Sequence, residues 1–242
     1  MARPLLERAI EAAGGMARWE AATELTARVR SGGLLLATRA RRGVLRDYEI
    51  RIATRAPRAT LAPYPERGRR GVFEAHEVRV ETDGGTVVSR RDHPRAAFSG
   101  SLRRNLRWDD LDLLYFAGYA MWNYLTTPFL LAAPGFGVRE LDPWAPDGER
   151  WERLAATFPE EVPTHCREQV LSFDGQARLR RLDYTPEVIG RWARAAHHCG
   201  EHREENGLVV PTRRRVVPRA RSGRSLPGPT LVRIEILVLN LA

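Results

Sequence analysis

Residues 113–133 read LLYFAGYAMWNYLTTPFLLAA, 21 positions without a formal charge. That length is enough to cross a bilayer. Its middle, however, holds Tyr119, Trp122, Asn123, Tyr124, Thr126 and Thr127, whereas membrane spans keep their aromatic residues at the interfaces. Pro128 disfavours helix beyond about Thr126. Asp109 and Asp110 precede the run, where the positive end of a helix dipole favours carboxylates. The stretch therefore reads as a buried core helix, with no transmembrane span.

At helical spacing Leu111, Leu114, Gly118, Trp122 and Leu125 share one face as a core stripe. Beside them Asp112, Tyr115, Tyr119, Asn123 and Thr126 form a second, polar stripe. A helix this apolar is buried, so those polar tips meet either strand-end backbone groups or a ligand cavity.

Outward from the helix the period changes. Residues 4–13 predict a short helix, with Pro4 in its first turn and Gly14-Gly15 stopping it. From Thr23 onward, segments 23–30, 34–41, 46–55, 58–64, 70–75, 77–82 and 86–91 are short, rich in β-branched and aromatic residues, and separated by turn residues. Asp83-Gly84-Gly85 marks a hairpin. After the helix, strands are expected at 136–142, 150–158, 166–173, 177–184, 193–203, 208–219 and 230–239. Asp174-Gly175 joins the clearest hairpin, and Ser222–Pro229 is the expected mobile loop. Close spacing of short strands predicts one mainly antiparallel sheet, and no linker divides the 242 residues into domains.

All 39 basic residues are arginine, set against 30 acidic ones, a net charge of +9. The excess favours acidic partners at long range. No zinc finger, RRM aromatics or basic heptad region accompanies it, so no nucleic-acid partner is expected. The opening Met1-Ala2-Arg3-Pro4-Leu5-Leu6-Glu7 lacks a signal-peptide apolar core, and two cysteines make no disulfide framework. Both point to the cytoplasm.

Histidine and cysteine cluster at His165-Cys166 and at His197-His198-Cys199 with His202. Alternation places His197 and Cys199 on one strand face, His198 and His202 on the other. The spacing matches no zinc signature, so no metal is expected. Histidine titrates near neutrality and could move protons, with Asp183 and Tyr184 as orienting partners. G-x-S-x-G, P-loop, G-x-G-x-x-G and H-E-x-x-H motifs are absent, and no cofactor is expected.

Gly14-Gly15 and Trp19 lead from a short helix directly into a strand meander. Near the other end Gly207-Leu208-Val209-Val210-Pro211 opens a strand, and a last strand closes on Asn240. This order resembles the LolA/LolB-type lipoprotein-carrier fold. The resemblance implies a curved half-barrel sheet, with the N-terminal helix and the central helix on its concave face around a hydrophobic hollow. The Trp122-Asn123-Tyr124 helix, and the segment from Asp183-Tyr184 to Pro218-Arg219, are also similar to an actinobacterial family without an assigned activity.

The functional expectation is a protein that binds a hydrophobic or amphipathic small molecule between sheet and helix. Tyr115, Tyr119, Trp122, Asn123, Arg181 and Arg214 are the expected ligand contacts. The alternative is a cofactor-independent cyclase, isomerase or dehydratase in the same cavity, with Asp112, Tyr115 or His198 moving protons while water is excluded.

Overall fold

The computed structural model describes residues 3–99 and 106–242. Period-2 alternation is clearest in the first two strands. In β1 (Glu24–Gly32) Leu25, Ala27 and Val29 are buried, and in β2 (Tyr48–Ala53) Tyr48, Ile50 and Ile52 are buried opposite them. The meander continues through β3 (Arg58–Ala62), β4 (Arg69–Glu74), β5 (Glu77–Thr82) and β6 (Val87–Asp92). The second half supplies β7 (Gly137–Trp144), β8 (Trp151–Thr157), β9 (Glu168–Phe173), β10 (Leu179–Tyr184), β11 (Ala195–Glu205), β12 (Leu208–Pro218) and β13 (Val232–Leu241).

These 13 strands form one sheet in the order β6-β5-β4-β3-β2-β1-β13-β12-β11-β10-β9-β8-β7. Every pairing is antiparallel, as the short connections within each meander require. The two meanders join where β1 pairs with β13, Leu25 opposite Leu241. β6 and β7 are left as the two edges, so the sheet is curved and not closed.

The helix that links those edges, Asp110–Thr126, runs across the concave side, and every residue from Asp112 to Thr126 is buried. Its start is a capping box: Asp109 accepts from the Asp112 amide while the Asp112 carboxylate accepts from the Asp109 amide. Each large apolar side chain so buried stabilises the fold by about 1.5–3 kcal/mol. No helix among the described residues is long and apolar enough to cross a membrane.

Two other helices lie at the N-terminus, α1 (Leu5–Ala12) and α2 (Met16–Ala21), the second not foreseen in the sequence. The Trp19 ring on α2 stacks on Phe129 at 4.5 Å. Gly14, at φ +120°, lies where a side chain would run into the Gly207 carbonyl, so the two glycine motifs at opposite ends of the chain meet each other.

Three expectations are corrected. Segment 34–41 is not a strand: Leu34–Arg39 is helix α3, and the long central helix is therefore α4. Leu-Leu-Leu-Ala has no β-branched residue and favours helix. Gly33, at φ +114°, turns the chain off β1, and the Leu34 and Leu35 amides donate to Thr230 and Leu231 carbonyls. The Ser222–Pro229 loop is held rather than free in its first half: Arg181 donates to Gly223 O and His198 Nε2 lies 2.8 Å from Ser225 Oγ. His202 shares the concave face with His197. Glu201, at φ 52°, interrupts the alternation between them, and His202 packs with Leu179 and Pro211 beneath α1.

Candidate functional site

Three faces run along α4. The apolar stripe packs on β3–β5: a side chain at Gly118 would meet Phe73, one at Gly71 would meet Leu114, and Trp122 Nε1 donates to Ala53 O at 2.9 Å.

The polar stripe is bonded within the fold. The Asp112 carboxylate takes Arg91 at 2.7 Å, and Tyr115 OH lies 3.5 Å from Arg95 Nη1. Tyr119 OH is 3.0 Å from His165 Nδ1. Asn123 Nδ2 donates to Tyr119 O and Pro163 O, and Thr126 Oγ1 to Trp122 O.

The third face meets open space. Phe116, Ala117, Ala120, Met121 and Tyr124 wall a cavity of about 380 Å³, a volume in the range of small-molecule sites. Opposite them stand Tyr48 of β2, Val216 of β12, and Val232 and Ile234 of β13. α3 and segment 184–195 form the sides. Leu34, Trp192 and Leu226 line the mouth while 45%, 73% and 38% exposed, so apolar surface continues from the interior out to solvent.

Polar atoms at the inner end are bonded to one another. His165 Nε2 is 2.6 Å from Tyr124 OH, which is 3.0 Å from Tyr184 OH, itself 3.3 Å from His197 Nδ1. The His165 ring stacks on Tyr184 at 4.1 Å. Burial, with Arg95 nearby, lowers the His165 pKa to about 3, and burial holds His197 well below its usual value. Both rings are neutral at pH 7, and burial pushes Tyr124, Tyr184 and the neighbouring Tyr119 up.

The expected ligand contacts lie elsewhere. Tyr115, Tyr119, Trp122 and Asn123 belong to the two faces of α4 turned from this cavity. Arg181 is on the sheet's convex face, paired with Asp183 at 2.7 Å and stacked over Trp144. Arg214 does point inward and is fully buried, but beneath Tyr124: it donates to Tyr124 O at 3.0 Å and to Cys199 Sγ at 3.3 Å.

The structure does not bring Asp112, Tyr115 and His198 together. Asp112 is a cap and ion-pair group, Tyr115 reaches the outer cleft beside Arg95, and His198 lies across the sheet at Ser225. The residues that sequence reasoning missed are those of the third helix face. Its sequence signal is Ala117 and Ala120 among bulky neighbours, where the helix wall is thin.

No protein-family model and no curated protein matches the sequence. Solved structures match in fold. A DUF1329-family protein of Desulfovibrio piger has a TM-score of 0.53 at 13% identity, covering 98% of this chain and 91% of that one. A LolA-superfamily protein of Nitrosomonas europaea gives 0.51 at 14%, covering 98% and 92%. A domain of Vibrio parahaemolyticus named for outer membrane lipoprotein sorting gives 0.50 at 8%, covering 98% and 91%. The architecture is thus the LolA-like half-barrel with a central helix in its hollow.

Proposed function

We propose that this protein binds a hydrophobic or amphipathic small molecule in the cavity beside α4. The observation that carries the reading is the cavity itself, apolar on the helix and sheet walls and continued to the surface by Leu34, Trp192 and Leu226. Monomeric proteins seldom expose apolar groups as a rim around an apolar hollow without an occupant. Transfer of a chain into it is favourable by about 25 cal/mol per Å² of apolar area removed from water. The likeness in fold to a domain named for lipoprotein sorting agrees with a lipid-like occupant. Tyr124, His165 and Tyr184 are satisfied by each other, which suits a wall better than a proton-transfer group.

The test uses N-phenyl-1-naphthylamine, a neutral dye that fluoresces in apolar sites. Wild-type protein is expected to bind it, and Ala120→Phe, which fills the cavity from the helix side, to bind it at least tenfold more weakly with unchanged circular dichroism. Equal binding by a folded Ala120→Phe protein would place the dye elsewhere and end the reading.

A further inference from the structure

The cavity wall is unbalanced in charge. Arg39, Arg194 and Arg219 line it, and no carboxylate does. Arg219 is engaged outside, its Nε donating to Ala195 O at 3.3 Å and lying 3.7 Å from Asp183. The Arg39 guanidinium has no ion-pair or hydrogen-bond partner among the described residues. Its Nη1 is buried and makes no hydrogen bond among the described residues. Burial lowers its pKa, and no neighbouring carboxylate opposes that effect. Arg39 is half-buried, and Nη1 is its one nitrogen both out of reach of water and without an acceptor, so an acceptor that arrives with a ligand would satisfy it. The uncharged polar groups near the cavity do not compete for one, since Tyr124, Tyr184 and His165 are mutually bonded, Ser31 Oγ lies 3.1 Å from Tyr48 OH and Thr38 Oγ1 donates to Leu34 O. Arg194 is a second cation on the wall.

We propose that the natural ligand is an anionic amphiphile whose carboxylate or phosphate head accepts hydrogen bonds from the Arg39 guanidinium. Its apolar chain lies between Ala117 and Ala120 on one side and Val216 and Val232 on the other. The fork of an arginine suits a two-oxygen anion, and α3 sets it in place: the Leu34 and Leu35 amides tie that helix to the Thr230 and Leu231 carbonyls. This inference rests on the cavity being a ligand site, and adds the sign of the charge and the residue that reads it.

The experiment displaces N-phenyl-1-naphthylamine with dodecanoate, dodecyl phosphate and dodecanol, each below its micelle concentration. At least one anion is expected to displace the dye from wild-type protein at about tenfold lower concentration than the alcohol, the worth of one charge-assisted hydrogen bond. Arg39→Gln should erase that preference while leaving dodecanol unchanged, and Arg39→Lys should keep part of it. The better of the two anions distinguishes a fatty-acid head from a phospholipid-type head. If dodecanol competes as well as both anions, or if folded Arg39→Gln keeps the anion preference, the charge inference is overturned and the cavity reading stands. If wild-type protein binds no dye at all, both fall together.

Discussion

The Tyr119 hydroxyl is fully buried 3.0 Å from His165 Nδ1, on a helix face turned away from the cavity. A phenol in that position acts on stability, because removing it leaves the imidazole nitrogen without a partner where water cannot reach. Tyr119→Phe keeps the ring packing and is expected to cost roughly 1–3 kcal/mol, read as a lower denaturation midpoint. Dye affinity should stay within about twofold of wild type. A stable Tyr119→Phe protein with altered affinity would show instead that this hydroxyl contacts the ligand. Arg214 contrasts with it: its Nε has no partner among the described residues, while its charge lies over the Tyr124 ring at 5.2 Å.

At the scale of the element, α4 is a divider with three distinct jobs arranged by angle. One face anchors on β3–β5, one is stitched to Arg91, Arg95 and the 163–165 segment, and one is left open to the cavity. The anchor depends on Gly118, where an added Cβ would lie 2.5 Å from Phe73 Cβ, closer than packed atoms tolerate. Gly118→Ala therefore should not gain the usual helix-propensity benefit. It is expected to destabilise by about 1–3 kcal/mol through overpacking, measured by chemical denaturation. If it stabilises instead, the helix does not sit this close to β4.

Across the whole molecule, two meanders and their connecting helix converge on a core that holds two neutral histidines, His165 ahead of β9 and His197 on β11. Their folded pKa values lie below the unfolded value of about 6.5, so above that pH neither form is protonated and they add no pH dependence. Below it the unfolded chain takes up protons that the folded chain refuses. Stability should fall by about 1.4 kcal/mol per pH unit for each ring, continuing toward pH 3 for His165. Half-buried His202 acts in the same direction. Denaturation between pH 7 and pH 5, a range in which ordinary carboxylates stay ionised, should show the decline. His165→Gln should make the decline shallower by its share while His197 and His202 keep the rest, and an unchanged slope in that variant would mean His165 is not the buried neutral group described.

The sequence by itself determined what depends on neighbours within about ten positions. Period-2 runs and the Asp83-Gly84 and Asp174-Gly175 turns specify antiparallel hairpins, and a charge-free stretch ended by Pro128 specifies a buried helix. The two faces of α4 were likewise readable, because helical spacing says which residues share a side. Tertiary structure decided what each side meets. The polar stripe, which the spacing left open between internal partners and a cavity wall, is absorbed by Arg91, His165 and Pro163, which arrive from distant parts of the chain. Arg181 and Arg214 looked equivalent in sequence, yet one lies outside the sheet and the other inside. A register shift between Leu179 and Arg181, and the pairing of β11 with β12, settle that orientation, and one residue of slip reverses it. Arg39 was hidden in a segment read as strand. Its place at the cavity follows from α3 docking on Thr230 and Leu231, a contact nearly two hundred residues away in sequence that no local pattern encodes.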